Sequence, residues 1–334
     1  MIITQKYNSA EDIDPEFIPS LEALLENCIP SFDLIKSYEK AASENIHFAY
    51  YLFFGNTTNA PIGFAQIQIE KNKVEKKSFF GKFLKENKLD PKNDKHLKWS
   101  IPGSLKEGIV FDPRFIKHAC NKANKIFNDY LERKDIHTQE LVYSQAYEEL
   151  GFEQGKQKGQ NKQLTTLDVF IKNKNSYEDF MSDLPFDIQK LIKTSWRMIQ
   201  ADLKLKMGEY SSFKDIFSYK KQGAAQYKNL KTKPIFLKYL NMESNIEFLT
   251  LESDQEVETI VAFTKGSGNH AFYEVLYISD HVPEFIAHQM AMLKFFEREN
   301  LDKLHTLGQI QNQSHLMDLG FTQRNQYLIS IKKD

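Results

Sequence analysis

Two short strings recur in this chain in the same order and at almost the same distance. Pro113-Arg114-Phe115-Ile116-Lys117-His118 is matched 170 residues later by Pro283-Glu284-Phe285-Ile286-Ala287-His288, and Leu150-Gly151-Phe152 is matched 169 residues later by Leu319-Gly320-Phe321. Either pair alone is too short to carry an argument. Two pairs in register mark an internal duplication, and a repeat must be recognised before the fold is read, because it fixes how many times one design is used. A chain of 334 residues has room for two medium domains.

The first copy is legible in some detail. Residues 107–152 open with an apolar run, Gly108 to Phe111, then Asp112 and Pro113, suited to a helix cap and a first helical position. Phe115, Ile116, Ala119, Cys120, Ala123, Ile126, Phe127 and Tyr130 follow at the spacing of a helix with one buried face. The pattern predicts that Phe115, like Phe285 in the second copy, packs against its own sheet. A polar turn over 132–138 and a second helix, closed by Gly151, are predicted next.

Upstream, residues 11–44 carry helical patterning broken at Pro30, and His47–Phe54 with Ile62–Ile69 read as an antiparallel hairpin. Phe64, Gln66 and Gln68 share one face of that hairpin, which is expected to be partly exposed or to line a cleft. Downstream, a turn over 155–163 leads to a strand over 164–171, and the polar stretch 172–178 is the natural domain boundary. Helical patterning covers 185–206, 211–217 and 234–240. Strands are predicted over 246–251, 257–263 and 271–278, the last two joined by the Lys265–His270 loop. The domains are therefore 1–175, with an insertion at 71–104, and 176–334.

Charge is almost balanced, 44 basic against 45 acidic residues, so no global signal points to nucleic acid or an anionic membrane. The exception is local. Between Lys71 and Lys98 ten lysines face four acidic residues, a net of +6, with Phe79, Phe80, Phe83 and Leu84 among them. Such an insertion is either a solvated excursion or a clamp for an RNA backbone or a phosphorylated substrate. Cys28 and Cys120 lie in apolar helical settings and read as buried free thiols, as in a cytoplasmic protein. No leader pattern and no apolar run of membrane-spanning length is seen. No metal-ligand spacing and no nucleotide-binding glycine pattern occurs. His118 and His288, five residues after each proline, read as hydrogen-bonding core or interface histidines.

The stretch Ala146-Tyr147-Glu148-Glu149-Leu150-Gly151-Phe152 resembles the closing signature of the GNAT acyl-CoA N-acyltransferase superfamily, and Asn312 with Leu319-Gly320-Phe321 looks like a weaker second copy. The resemblance implies an α/β (α+β) chain of two tandem GNAT-like domains, each a mixed, mainly antiparallel sheet flanked by helices. The tandem is similar to that of peptidoglycan-bridge aminoacyl-tRNA transferases. It implies transfer of an acyl group from acyl-CoA or acetyl-CoA, or from aminoacyl-tRNA, to the primary amine of a small molecule or peptide. The alternative is a tandem scaffold without catalysis.

The resemblance also assigns residues. The donor's pyrophosphate would sit at a helix start, on Arg114, Phe115, Ile116, Lys117, His118 and Ala119, where unpaired N–H groups and the helix dipole favour phosphate. The family's glycines are absent from these positions. Tyr147 would be the general acid for the leaving thiolate; Leu316 stands at that place in the second copy. Glu107 is the candidate base and Glu274 its rival, with no metal required. A tRNA partner would use the 71–98 insertion.

Overall fold

The computed structural model describes residues 2–71, 95–101, 107–133, 136–144, 147, 160–218, 223–240, 246–307 and 313–332. Most of the basic insertion, the Leu150-Gly151-Phe152 string, residues 155–159 of the predicted turn and Asn312 lie outside them. The chain forms two compact units. The first gathers Met1–Leu25, Ala42–Thr166 and Asn325–Asp334; the second gathers Glu26–Ala41 and Leu167–Arg324. Residues 26–41 and 167–175 thus group with the second unit, and 325–334 with the first.

The first unit contains β1 (Ile2–Tyr7), α1 (Ile18–Leu24), β2 (Ile46–Gly55), β3 (Pro61–Lys71), β4 (Lys95–Trp99) and β5 (Ile109–Phe111). Helix α2 (Phe32–Ala41) falls in the second unit, and α3 (Ile116–Leu131) and β6 (Ile136–Ser144) return to the first. Strands β1, β2 and β3 are antiparallel neighbours; β4 and β5 pair in line along β3, at 68–71 and 63–65 respectively. β4 then runs parallel to β6, a pairing that requires a crossover, and α3 supplies it. The predicted hairpin is present in register, with Ala49 opposite Ile67. The Phe64, Gln66 and Gln68 face is buried rather than open, because α1 lies against β3.

Helix α3 buries Ile116, Ala119, Cys120, Ala123, Phe127 and Tyr130, as its spacing requires. Small residues at 119, 120 and 123 let the helix approach the sheet closely, while Trp99 packs on Phe127 and Tyr130. Both cysteines are free and buried, and burial pushes the Cys120 thiol up to about 12.

The predicted turn and helix start over 136–144 is instead strand. Its polar residues look turn-like along the chain, yet its backbone is paired on both sides, by β4 and by residues 326–332 of β13 (Thr322–Lys332). Local pattern cannot register a ladder partner almost two hundred residues away.

The second unit repeats this order. Its elements are β7 (Gln160–Ile171), of which residues from 167 onward belong to it, α4 (Tyr177–Asp183), α5 (Phe186–Arg197), β8 (Lys206–Tyr210), α6 (Asp215–Ser218), α7 (Gly223–Lys231), α8 (Pro234–Leu240), β9 (Ile246–Glu252), β10 (Val257–Lys265), β11 (His270–Ile278), α9 (Glu284–Glu297), β12 (Lys303–Thr306) and α10 (Gln313–Asp318). Strands β8, β9, β10 and β11 are antiparallel neighbours, and β11 runs parallel to β12 across α9. Pro113 and Pro283 thus occupy the same place, between the last strand before the crossover and its helix. β12 is completed by residues 169–171 of β7, as β6 is by β13. The duplicated copies have exchanged their closing strands.

Leu319-Gly320-Phe321 also finds a physical meaning. Gly320 has φ +79°, its N–H donates to the Met317 carbonyl at 2.9 Å, and the Phe321 N–H donates to the Leu316 carbonyl at 3.0 Å. This is a Schellman cap, in which glycine takes the left-handed position and the flanking apolar residues bury against the core.

Gly108 is the tightest point of the first unit. A Cβ there would lie 2.3 Å from the Trp99 carbonyl carbon and 2.4 Å from the Ser100 nitrogen. Both are backbone atoms, so the strands would have to part. Gly108→Ala should cost about 1–3 kcal/mol, as overpacking does, read as an earlier urea midpoint; an unchanged midpoint would contradict the packing described.

Candidate functional site

In the first unit, β5 and β6 part company immediately after Gly108. The Gly108 N–H reaches the Val142 carbonyl at 3.3 Å, while its own carbonyl accepts the Gln66 N–H at 2.8 Å. Beyond that point, among the described residues, Ile109, Val110 and Phe111 pair with β3 alone. Asp112 N–H turns toward β3, to the Ile62 carbonyl at 2.8 Å, so the N–H of Phe111 points to the opposite, β6 side. There it donates to the Tyr147 hydroxyl oxygen at 3.0 Å. The Tyr147 ring lies 5.7 Å from that of Phe111 and is 8% exposed. A tyrosine hydroxyl therefore stands where a strand carbonyl would have completed the ladder.

Two other sequence-predicted residues border this opening. Glu107 precedes Gly108, forms an isolated bridge with Ser100 and is almost fully buried. Downstream, Asp112 closes the entry to α3: it accepts the Arg114 N–H at 2.9 Å and holds the guanidinium through Nε at 3.0 Å and Nη2 at 2.6 Å. The guanidinium keeps the Asp112 carboxyl below its usual range. Arg114 is thus already engaged.

The helix start itself suits an anion better than its lack of glycine suggests. Phe115 caps it without a side-chain hydrogen bond, so the first-turn N–H groups are not answered by a capping side chain. Ile116 and Ala119 point into the core, and the exposed positions are Lys117 and His118. Phe115 is only half-buried, at the core margin, whereas Phe285 is buried. His118 is exposed rather than a core histidine; His288 is buried and its Nδ1 is 2.9 Å from the Tyr273 hydroxyl.

Glu274 lies in the second unit, in a different setting. Its Oε2 is 2.5 Å from Lys238 Nζ and accepts the Tyr239 hydroxyl at 2.5 Å, with both ionic side chains 2% exposed. Burial first, and the neighbouring carboxylate second, raise the Tyr239 hydroxyl well above its ordinary range. Lys238 and Tyr239 were missed from sequence because α8 reads as an ordinary apolar segment with a surface lysine. The second unit also places Leu316 fully buried at the position equivalent to Tyr147, and Glu284 in the first turn of α9, where an acid opposes anion binding.

Among the described residues, no group of three His, Cys, Asp or Glu side chains is placed to hold a metal ion, and no helix is long and apolar enough to cross a membrane.

No protein-family model matches the chain, and no curated protein matches it in sequence. Solved structures do resemble it. A conserved protein of unknown function from Bacteroides thetaiotaomicron aligns over 100% of both chains at 9% identity and TM-score 0.51. A tandem GNAT protein from the clavulanic acid biosynthesis pathway aligns over 99% of this chain and 98% of its own at 10% identity and TM-score 0.44. The C-terminal domain of a putative lysylphosphatidylglycerol synthetase from Agrobacterium fabrum covers 96% and 92% at 8% identity and TM-score 0.48. At such identities the likeness is one of fold alone: two mixed, mainly antiparallel sheets in tandem, each flanked by helices.

The Lys238–Glu274 pair generates a stability test. Lys238→Met strands a buried carboxylate and should cost about 3–5 kcal/mol. Adding Glu274→Gln removes the stranded charge, keeps an acceptor for Tyr239 and should restore most of the loss. Equal destabilisation of the single and double variants in denaturant titrations would contradict a paired, buried ion.

Proposed function

We propose that the first unit is an N-acyltransferase that moves an acyl group from acyl-CoA to a primary amine. The observation that supports this reading is the opening beside β5, with the Tyr147 hydroxyl held on the Phe111 N–H at 3.0 Å. Acyl transfer needs room for a thioester, a proton donor at the leaving sulfur and donors for the oxyanion. The divergence of β5 from β6 after Gly108 is where that room is assigned.

The donor's diphosphate is assigned to the start of α3, on the first-turn N–H groups beside Lys117 and His118. Bound there, the donor supplies an activated thioester carbonyl. Glu107, next to the point of divergence, takes the proton of the attacking amine. The C–N bond forms as the carbonyl π pair moves onto oxygen; the C–S bond then breaks as that pair returns. Tyr147 gives its proton to the departing sulfur. Its bond to Phe111 uses the hydroxyl oxygen as acceptor and fixes the ring. Glu274, buried against Lys238 and Tyr239, is given a structural role. The aminoacyl-tRNA donor would draw on the 71–98 insertion, outside the described residues, and is the finer alternative within the same chemistry.

Tyr147→Phe keeps the ring and removes the proton. With an acyl donor and amine found by screening, turnover should fall roughly 10²–10⁴-fold. The Phe111 N–H loses its acceptor, so stability should fall by about 1–3 kcal/mol. A variant that turns over at the parent rate would remove Tyr147 from the mechanism, whatever its melting temperature.

A further inference from the structure

A second cleft of the first unit lies on the other flank of α3. It encloses about 500 Å³ between the helix and the turn that follows β2. Phe115, His118, Lys122 and Lys125 recur along the helix at three and four and form one wall; Asn121 adjoins them. Ile2 of edge strand β1, with Asn56 and Thr57 of the turn, forms the other. The turn is pinned by Thr58, whose Oγ1 accepts the Gly55 N–H at 2.9 Å.

The charge of this cleft is one-sided. Two lysines and a histidine face it, and among the described residues no carboxylate lines it. The first three turns of α3 contain no acid at all; Asp129 is the first. In a chain whose net charge is −1, that asymmetry is local to this cleft. Asn56, Asn121 and Thr57 add neutral hydrogen-bonding groups, while Ile2 and Phe115 provide an apolar margin. The volume is that of a small-ligand site rather than a polymer groove.

The place also differs from the acyl-donor opening. That opening lies between β5 and β6, inside the sheet; this cleft shares Phe115 and His118 with the start of α3 and runs from there to edge strand β1. We propose that the part of the cleft between Lys122, Lys125 and the turn after β2 binds a phosphorylated small molecule other than the acyl donor, next to the helix start assigned to the donor's diphosphate. Lys122 and Lys125 would hold the phosphate, and the turn residues the remainder.

Inorganic pyrophosphate and phenyl phosphate, titrated calorimetrically into the full chain, test this. Saturable binding is expected, weakening with added salt. It should be at least about tenfold weaker in Lys122→Ala/Lys125→Ala. Lys125 is exposed and Lys122 half-buried, so the double variant should keep its melting temperature. Tyr147→Phe should bind as the parent does, which separates failure here from failure of the acyl-transfer reading. No saturable binding, or equal affinity in the double variant, would overturn the proposal. Competition by CoA would reassign the lysines to the donor, and preference for an RNA oligonucleotide would reassign them to a polymer; either result also overturns it.

Discussion

The first unit depends on Gly108. Its N–H makes a backbone bond across to β6, its carbonyl accepts one from β3, and no Cβ fits between it and the Trp99–Ser100 backbone. Before it, β4 pairs with β3 and with β6, and Glu107 bridges Ser100. After it, β5 continues on β3 alone among the described residues, and Tyr147 answers the Phe111 N–H. An opening in a sheet leaves polar backbone to be satisfied. Here a side chain satisfies part of it, and that side chain is also the one suited to protonate a leaving group. Structural need and proposed chemistry meet in one hydroxyl.

The second unit uses the same topology to a different end. Its crossover helix α9 is buried nearly all round, and the polar residues it carries are tied down individually: His288 to Tyr273, Gln289 to Tyr177, and Lys294 to Glu209, Glu247 and Glu297. α3, by contrast, buries one stripe and shows lysines elsewhere. Leu316 stands here where the first unit has Tyr147, and Glu284 stands at the helix start. The exchanged strands β7 and β13 make the sheet of each unit discontinuous in sequence.

What could be read from the sequence follows from how local each signal is. The duplication, the hairpin of β2 and β3, the stripe of α3 and the strands β9 to β11 all rest on neighbours in the chain, and each is present. β6 was not legible, because its polar run becomes strand through a partner at 326–332. Nor was the exchange of closing strands, which no window of residues encodes. At the site, the resemblance drew attention to Tyr147 and Glu107, but nothing in the sequence pointed to the Phe111 N–H that holds the tyrosine. Glu274 looked like a rival base because sequence does not show Lys238 beside it. The missing glycines at 114–119 looked like a defect; in the fold, Ile116 and Ala119 turn inward and leave the helix start to backbone and cations.

The central claim is that the start of α3 and the opening beside it take an acyl-CoA. Backbone amide NMR of the whole chain during titration with acetyl-CoA tests this most directly. The account predicts saturable shifts confined to Ile109–Ala119 and the neighbourhood of Tyr147, with Val282–Gln289 of the second unit unmoved. Saturable shifts at Val282–Gln289 instead, or none at Ile109–Ala119 at millimolar ligand, would contradict it.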